Sequence, residues 1–115
     1  ARKAAYDIEH RRVGKALTVD ASLDAVIRRD FNKDNGSILR LSIVDRDWKI
    51  AKNEYGIPAY KSKDVEIAVK EKDGKCYLMY GSVFCNYSGG GNYTAPKFNT
   101  DSGSQFEMNC ANVNK

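Results

Sequence analysis

Val65-Glu66-Ile67-Ala68-Val69-Lys70-Glu71-Lys72-Asp73-Gly74-Lys75-Cys76-Tyr77-Leu78-Met79-Tyr80 alternates apolar and polar residues on both sides of an Asp-Gly pair. Alternation with a period of two marks a strand with one buried face. Asp-Gly accepts the backbone angles of a tight turn, so two antiparallel strands joined at Asp73-Gly74 follow. A two-residue turn sets Lys72 opposite Lys75, hence Val69 opposite Leu78, Ile67 opposite Tyr80 and Val65 opposite Ser82. That register puts Cys76, Leu78, Tyr80 and Phe84 on the face of the valines. The other face of the second strand then carries Tyr77, Met79, Val83, Cys85 and Tyr87, a set apolar enough to require cover.

Working upstream, Leu39, Leu41 and Ile43 share one parity after Ile38, whereas Trp48 and Ile50 fall on the other. Either a bulge within Val44 to Asp47 resets the phase, or Trp48 covers the second face of the sheet. Tyr55-Gly56-Ile57-Pro58 is a turn by its Gly and Pro. Downstream, Ser88 to Ser104 is rich in Gly, Ser, Asn and Thr and reads as a long mobile connection. Phe106, Met108 and Cys110 then alternate with polar residues as a last strand.

Towards the N-terminus, Arg2 to Arg12 has good helix formers, with Ala4, Ala5 and Ile8 close to one side. Val13 to Val19 suits a helix or a short strand, with helix the favoured reading. A second helix begins at Asp20 or Ser22, either of which accepts from free N–H groups, and carries Leu23, Val26, Ile27 and Phe31 at helical spacing. Asn35-Gly36 ends it. The prediction is a single α+β domain over residues 1–115, with helical segments over about residues 2–34 packed on a four-stranded antiparallel meander over about residues 37–113.

Composition narrows the function classes. Hydrophobic residues at 42% and charged residues at 30% suit one core in 115 residues. No apolar run reaches the ~18 residues of a membrane span. The chain starts at Ala1, so a signal or membrane segment has been removed or was never present. The net charge of +4 is spread evenly, with 8 basic against 6 acidic residues up to Asn35 and 11 against 9 from Gly36 onward. Even spreading argues against a nucleic-acid surface. Cys76, Cys85 and Cys110 have no C-x-x-C spacing and His10 is the one histidine, which excludes a zinc site. No metal or other cofactor is predicted.

No motif carries catalysis. Gly89-Gly90-Gly91 lacks the Gly-Lys-Ser/Thr ending of a phosphate loop and leads into no helix. Asp45, Asp47 and Glu54 lie close along the chain, but Arg46 and Lys49 beside them explain them as surface carboxylates. Lys75 to Phe84 has a trace of a base-stacking strand without the helix such a module needs. Asn35-Gly36-Ser37, Asn86-Tyr87-Ser88 and Asn92-Tyr93-Thr94 are glycosylation sequons, which matter only in a secreted chain.

An amphipathic helix followed by an antiparallel meander, over Asp20 to Val113, resembles the cystatin-like and nuclear-transport-factor-like folds in element order. The same order resembles the soluble head of a type IV pilin or pseudopilin. The latter resemblance implies a disulfide tying the last strands to the C-terminal region, a role for Cys85 and Cys110 that leaves Cys76 a buried thiol. In the register above, Cys76 and Cys85 point to opposite faces and do not pair. These features favour a noncatalytic binding or assembly domain, exported to the periplasm or secreted, with a cytoplasmic location as the alternative. Its partner is a protein, copies of itself included, meeting the outer sheet face around Trp48, Tyr77, Tyr87 and Tyr93. The rival is a small-molecule enzyme or carrier with a pocket between helix and curved sheet, using Asp45, Asp47, Tyr60 or Tyr80.

Overall fold

A computed structural model describes residues 2–115, and of residues 2, 3, 102 and 104 the backbone alone. Two short helices, α1 (Arg2–His10) and α2 (Ala21–Asp30), precede six strands: β1 (Ser37–Ile43), β2 (Lys49–Lys52), β3 (Pro58–Lys70), β4 (Cys76–Gly89), β5 (Asn92–Tyr93) and β6 (Lys97–Met108). Strands take 46% of the residues against 21% for helix, so the fold is predominantly antiparallel sheet. The predicted four-stranded meander under a helical N-terminus is therefore corrected. Strands β3 and β4, 13 and 14 residues long, form the spine. Each is flanked by two strands in series, β1 and β2 along β3, β6 and β5 along β4.

The turn between β3 and β4 is one residue longer than Asp-Gly implies. The Glu71 N–H donates to the Lys75 carbonyl at 3.0 Å, the Gly74 N–H donates to the Glu71 carbonyl at 3.0 Å, and Gly74 takes φ 83°. A three-residue loop closed by a left-handed glycine results. Lys70 is opposite Cys76, Val69 opposite Tyr77, Ile67 opposite Met79 and Val65 opposite Gly81. A slip of one residue exchanges the faces. Tyr77, Met79, Val83 and Cys85 thus share the face of Val65, Ile67 and Val69, and Cys76, Leu78, Tyr80 and Phe84 lie on the other.

Helix α2 supplies the cover that the apolar face requires. Asp20 caps it by accepting from the Leu23 N–H at 3.1 Å. Leu23, Ile27 and Phe31 pack on Ile43, Val65, Ile67, Val69, Met79, Val83 and Phe98. Each fully buried side chain of this kind contributes about 1.5–3 kcal/mol. The helix stops at Asp30, short of Asn35-Gly36, because Phe31 turns to extended angles with its ring in the core. In β1 the bulge falls at Leu39, so Ile38, Leu41 and Ile43 share the core face while Leu39 is exposed. Residues 44–48 leave the sheet between β1 and β2, and this break returns Trp48 to the α2 side.

The opposite face holds a smaller cluster of Val13, Ala68, Cys76, Leu78, Met108 and Val113. Helix α1 lies along β6, and the Asn109 N–H donates to the Ile8 carbonyl at 3.0 Å. Residues 13–19 are extended rather than helical. Leu17 donates its N–H to Ile43 at 2.9 Å and Thr18 bridges to Ile43, while the Gly14 N–H donates to Glu66 Oε1 at 2.9 Å. A Cβ on Gly14 would stand 2.6 Å from that carboxylate, so a larger residue here would displace the Glu66 side chain.

Cys76 is bonded to Cys110, with Cα atoms 5.2 Å apart, and Cys85 is free and buried. The pairing of Cys85 with Cys110 is overturned for the same reason as the register: Cys76, not Cys85, lies beside Met108 on the C-terminal face. Ser88 to Ser104 is likewise no loop. Gly89, Gly90 and Gly91 take φ of 95°, 61° and 79° and fold β4 back on β5, pairing Tyr87 with Tyr93, and β6 follows.

Candidate binding site at the open end of the sheet

Strands β3 and β4 run on past the cluster under α2, and the molecule is accordingly long, 50 × 27 × 23 Å. On the α2 side of this extension the register brings Ile50 opposite Lys61 and Lys61 opposite Cys85, with Tyr87 opposite Tyr93 beyond them. The Lys61 ammonium lies 4.7 Å from the ring centre of Trp48 and 4.7 Å from that of Tyr93. Lys63, two residues on, lies 5.1 Å from the Trp48 ring. These are cation–π distances. Tyr87 and Tyr93 meet edge to face at 5.2 Å, and the Tyr87 hydroxyl accepts from the Gly91 N–H at 2.7 Å. The turn glycines thereby position one wall of the site.

The nearby carboxylates are engaged with another cation. Lys49 bridges Asp45 at 3.1 Å and Asp64 at 2.7 Å, and the Asp64 N–H donates to Asp45 at 2.7 Å. Burial pushes the Asp45 carboxyl up, but the Asp64 amide and Lys49 outweigh it and hold the group below its usual range. The Asp64 carboxylate in turn raises Lys49. Among the described residues neither Lys61 nor Lys63 takes part in an ion pair. Cys85 lies beneath Lys61; burial pushes its thiol up against the opposing effect of that lysine, so it is a packed neutral thiol rather than a nucleophile.

Of the four aromatic residues expected together, Tyr87 meets Tyr93, Trp48 is joined to Tyr93 through Lys61, and Tyr77 is apart from them. Tyr77 shares their face but stands ten residues from Tyr87 along β4, about 33 Å at strand rise. Its hydroxyl donates to Asp73 at 3.0 Å, and that carboxylate pushes its pKa to about 12. The face itself is the one α2 covers, not an outer one, and Trp48 and Tyr77 are half-buried against the core.

The residues proposed to line a helix–sheet pocket do not converge there. A hollow of about 320 Å³ between α2 and β1 is lined by Ala16, Thr18, Val19, Asp20, Ala21, Asp24, Leu41 and Ile43, with none of Asp45, Asp47, Tyr60 or Tyr80. Asp47 is exposed in the break after β1. Tyr60 and Tyr80 are on the far face, where Tyr80 meets Phe106 edge to face at 5.7 Å and Tyr60 borders an open trough with Ser62, Ser82 and Phe84. Among the described residues no group of three or more His, Cys, Asp or Glu is placed to hold a metal, and no helix is long and apolar enough to cross a membrane.

Lys61 and Lys63 were not distinguishable in sequence from solvated strand lysines. Their signal is parity: both share the parity of Val65, Ile67 and Val69, so each departs from the alternation that puts lysine outside. No protein-family model, curated protein or solved structure matches the chain.

Proposed function

We propose that this chain is a noncatalytic binding or assembly domain that works outside the cytoplasm and docks a protein partner on Trp48, Ile50, Lys61, Tyr87 and Tyr93. The observation that carries the reading is the Lys61 ammonium held between two aromatic faces, with no carboxylate paired to it, where the sheet extends past its covering helix. Clustered aromatic residues with a cation on them bury large area at little conformational cost, as interface anchors do. Ile50, 52% exposed, adds an apolar contact at the rim. The Cys76–Cys110 bond supports an oxidising compartment, since such bonds are rare in reducing cytosol.

Photo-crosslinking in the producing cell tests the proposal. A photoreactive residue at position 50 is expected to yield one discrete protein adduct, whose mass separates a second copy of the chain from another protein. The same residue at position 72, at the far end of the sheet, is expected to yield none. Equal labelling from both positions, or none from position 50, would contradict the reading.

A further inference from the structure

We propose that the far face of the sheet carries a second site, independent of the docking surface above: a trough that takes a neutral oligosaccharide of β-linked pyranoses in the gluco configuration. The trough, of about 380 Å³, lies across β3, β4 and β6 and falls within the ~300–1,000 Å³ of ligand sites. Strand register builds it. Tyr60 is opposite Asn86 and Ser62 opposite Phe84, so the two rings stand on one diagonal, their backbones about 7–8 Å apart, with a hydroxyl and an amide on the other. Ser82, opposite Asn99, extends the polar set onto β6. Along this stretch β2 pairs with β3 and β6 with β4, so the backbone groups are engaged within the sheet and a ligand meets side chains alone. Those side chains are uncommitted. Among the described residues, Ser62, Ser82, Asn86 and Asn99 make no side-chain hydrogen bond, and no ring or cation rests on Tyr60 or Phe84.

The chemistry of the lining selects the class. A gluco-configured pyranose has axial C–H bonds on both ring faces and equatorial hydroxyls around its edge. Its apolar faces suit the aromatic rings, and its hydroxyls both donate and accept, as do those of serine and the amide of asparagine. Charge decides against an anionic ligand. Lys49, opposite Ser62, is held by Asp45 and Asp64, and Lys97, opposite Phe84, is outside the lining, its charge acting on Asp30. The one charged group in the lining is the Asp101 carboxylate.

The intact protein is titrated in nuclear magnetic resonance with cellohexaose, with the β-1,4-linked N-acetylglucosamine hexamer, and with a sulfated cello-oligosaccharide, each to millimolar concentration. At least one of the two neutral glycans is expected to move the ring signals of Tyr60 and Phe84 and the side-chain amides of Asn86 and Asn99 saturably and with little dependence on salt. The indole of Trp48, on the opposite face, should stay in place. Tyr60→Ala is expected to weaken binding about three- to tenfold, the range for one ring contact, and Asn99→Ala about two- to tenfold, the range for one neutral hydrogen bond. Both positions are exposed, so both variants should keep the fold, read as an unchanged urea midpoint. Lys61→Gln should leave glycan binding unaltered. Saturable shifts from neither neutral glycan, shifts that spare Tyr60 and Phe84, or tighter binding of the sulfated glycan would overturn the inference. A discrete protein adduct from position 50 alongside failed glycans would refute it and leave the docking role standing.

Discussion

Cys76, in the first position of β4, is bonded to Cys110 in the turn that follows β6, so the covalent link and the pairing of Cys76 with Met108 fasten the same corner of the sheet. The bond closes a loop of 34 residues, which in the chain-entropy account stabilises the fold by about 3–4 kcal/mol. Cys76→Ser with Cys110→Ser is expected to lose that amount in urea unfolding. Thiol titration of the unfolded, unreduced protein should find one free group, and peptide mapping should place it at Cys85. A Cys85–Cys110 peptide would return the register to the two-residue turn.

Gly81 sits under Phe98. A Cβ there would stand 2.6 Å from the Asn99 carbonyl and 2.7 Å from the Phe98 ring, which is itself buried in the main core. Gly81→Ala is therefore expected to destabilise by about 1–3 kcal/mol through overpacking, read as a lower urea midpoint at unchanged slope. An unaltered midpoint would mean that β6 does not approach β4 there.

Acid should unfold the chain through named carboxylates. Asp30 is held below its usual range first by the Arg29 guanidinium and then by the Phe98 N–H; Asp45, which burial alone pushes up, is held below it by the combined effect of the Asp64 amide and Lys49; and Asp73 is held down first by the Lys75 N–H. A depressed carboxyl stabilises the fold fully above its unfolded value, about pH 4, and that contribution is lost as pH falls through the folded value. Tyr77, raised to about 12, has the opposite sign: its contribution is whole below about pH 10 and is lost as pH rises through the folded value. The urea midpoint should fall below about pH 4, less steeply in Asp45→Asn. Ultraviolet titration should show one tyrosine ionising near 12 that returns towards 10 in Asp73→Asn.

The glycine turn is a structured hairpin and should behave as one. The Thr94 N–H donates to the Asn86 carbonyl at 2.8 Å, the Asn86 N–H to Thr94 Oγ1 at 3.1 Å, and the Gly91 N–H to the Tyr87 hydroxyl. Slow hydrogen exchange is expected at Asn86, Gly91 and Thr94, with Tyr87→Phe releasing Gly91 alone. Fast exchange at all three would restore the mobile connection.

Much of the main core was legible because it obeys simple periods: Leu23, Ile27 and Phe31 at helical spacing, Val65, Ile67 and Val69 at strand spacing. The faces of β4 were not. Asp-Gly suits both a two-residue turn and the last positions of a three-residue one, and the second needs only one positive-φ residue, which Gly74 supplies. Gly89-Gly90-Gly91 misled in the opposite direction, since backbone freedom suits a tight reversal as well as a loose loop, and the edge-to-face contact of Tyr87 with Tyr93 that accompanies the reversal is made across the turn. Trp48, Tyr87 and Tyr93 were legible as a set, whereas Lys61 and Lys63 join them only once β2 and β5 are placed along the same end of the spine.

The most direct measurement is nuclear magnetic resonance of the Lys61 side chain in the isolated protein. Its ε-methylene protons are expected to be shifted upfield by the ring currents of Trp48 and Tyr93, with cross-peaks to both rings, and the same spectra should connect Ile67 with Met79 across the strands. An ordinary lysine shift without those cross-peaks, together with contacts from Ile67 to Tyr80, would show that the turn has the other register and that the platform does not exist.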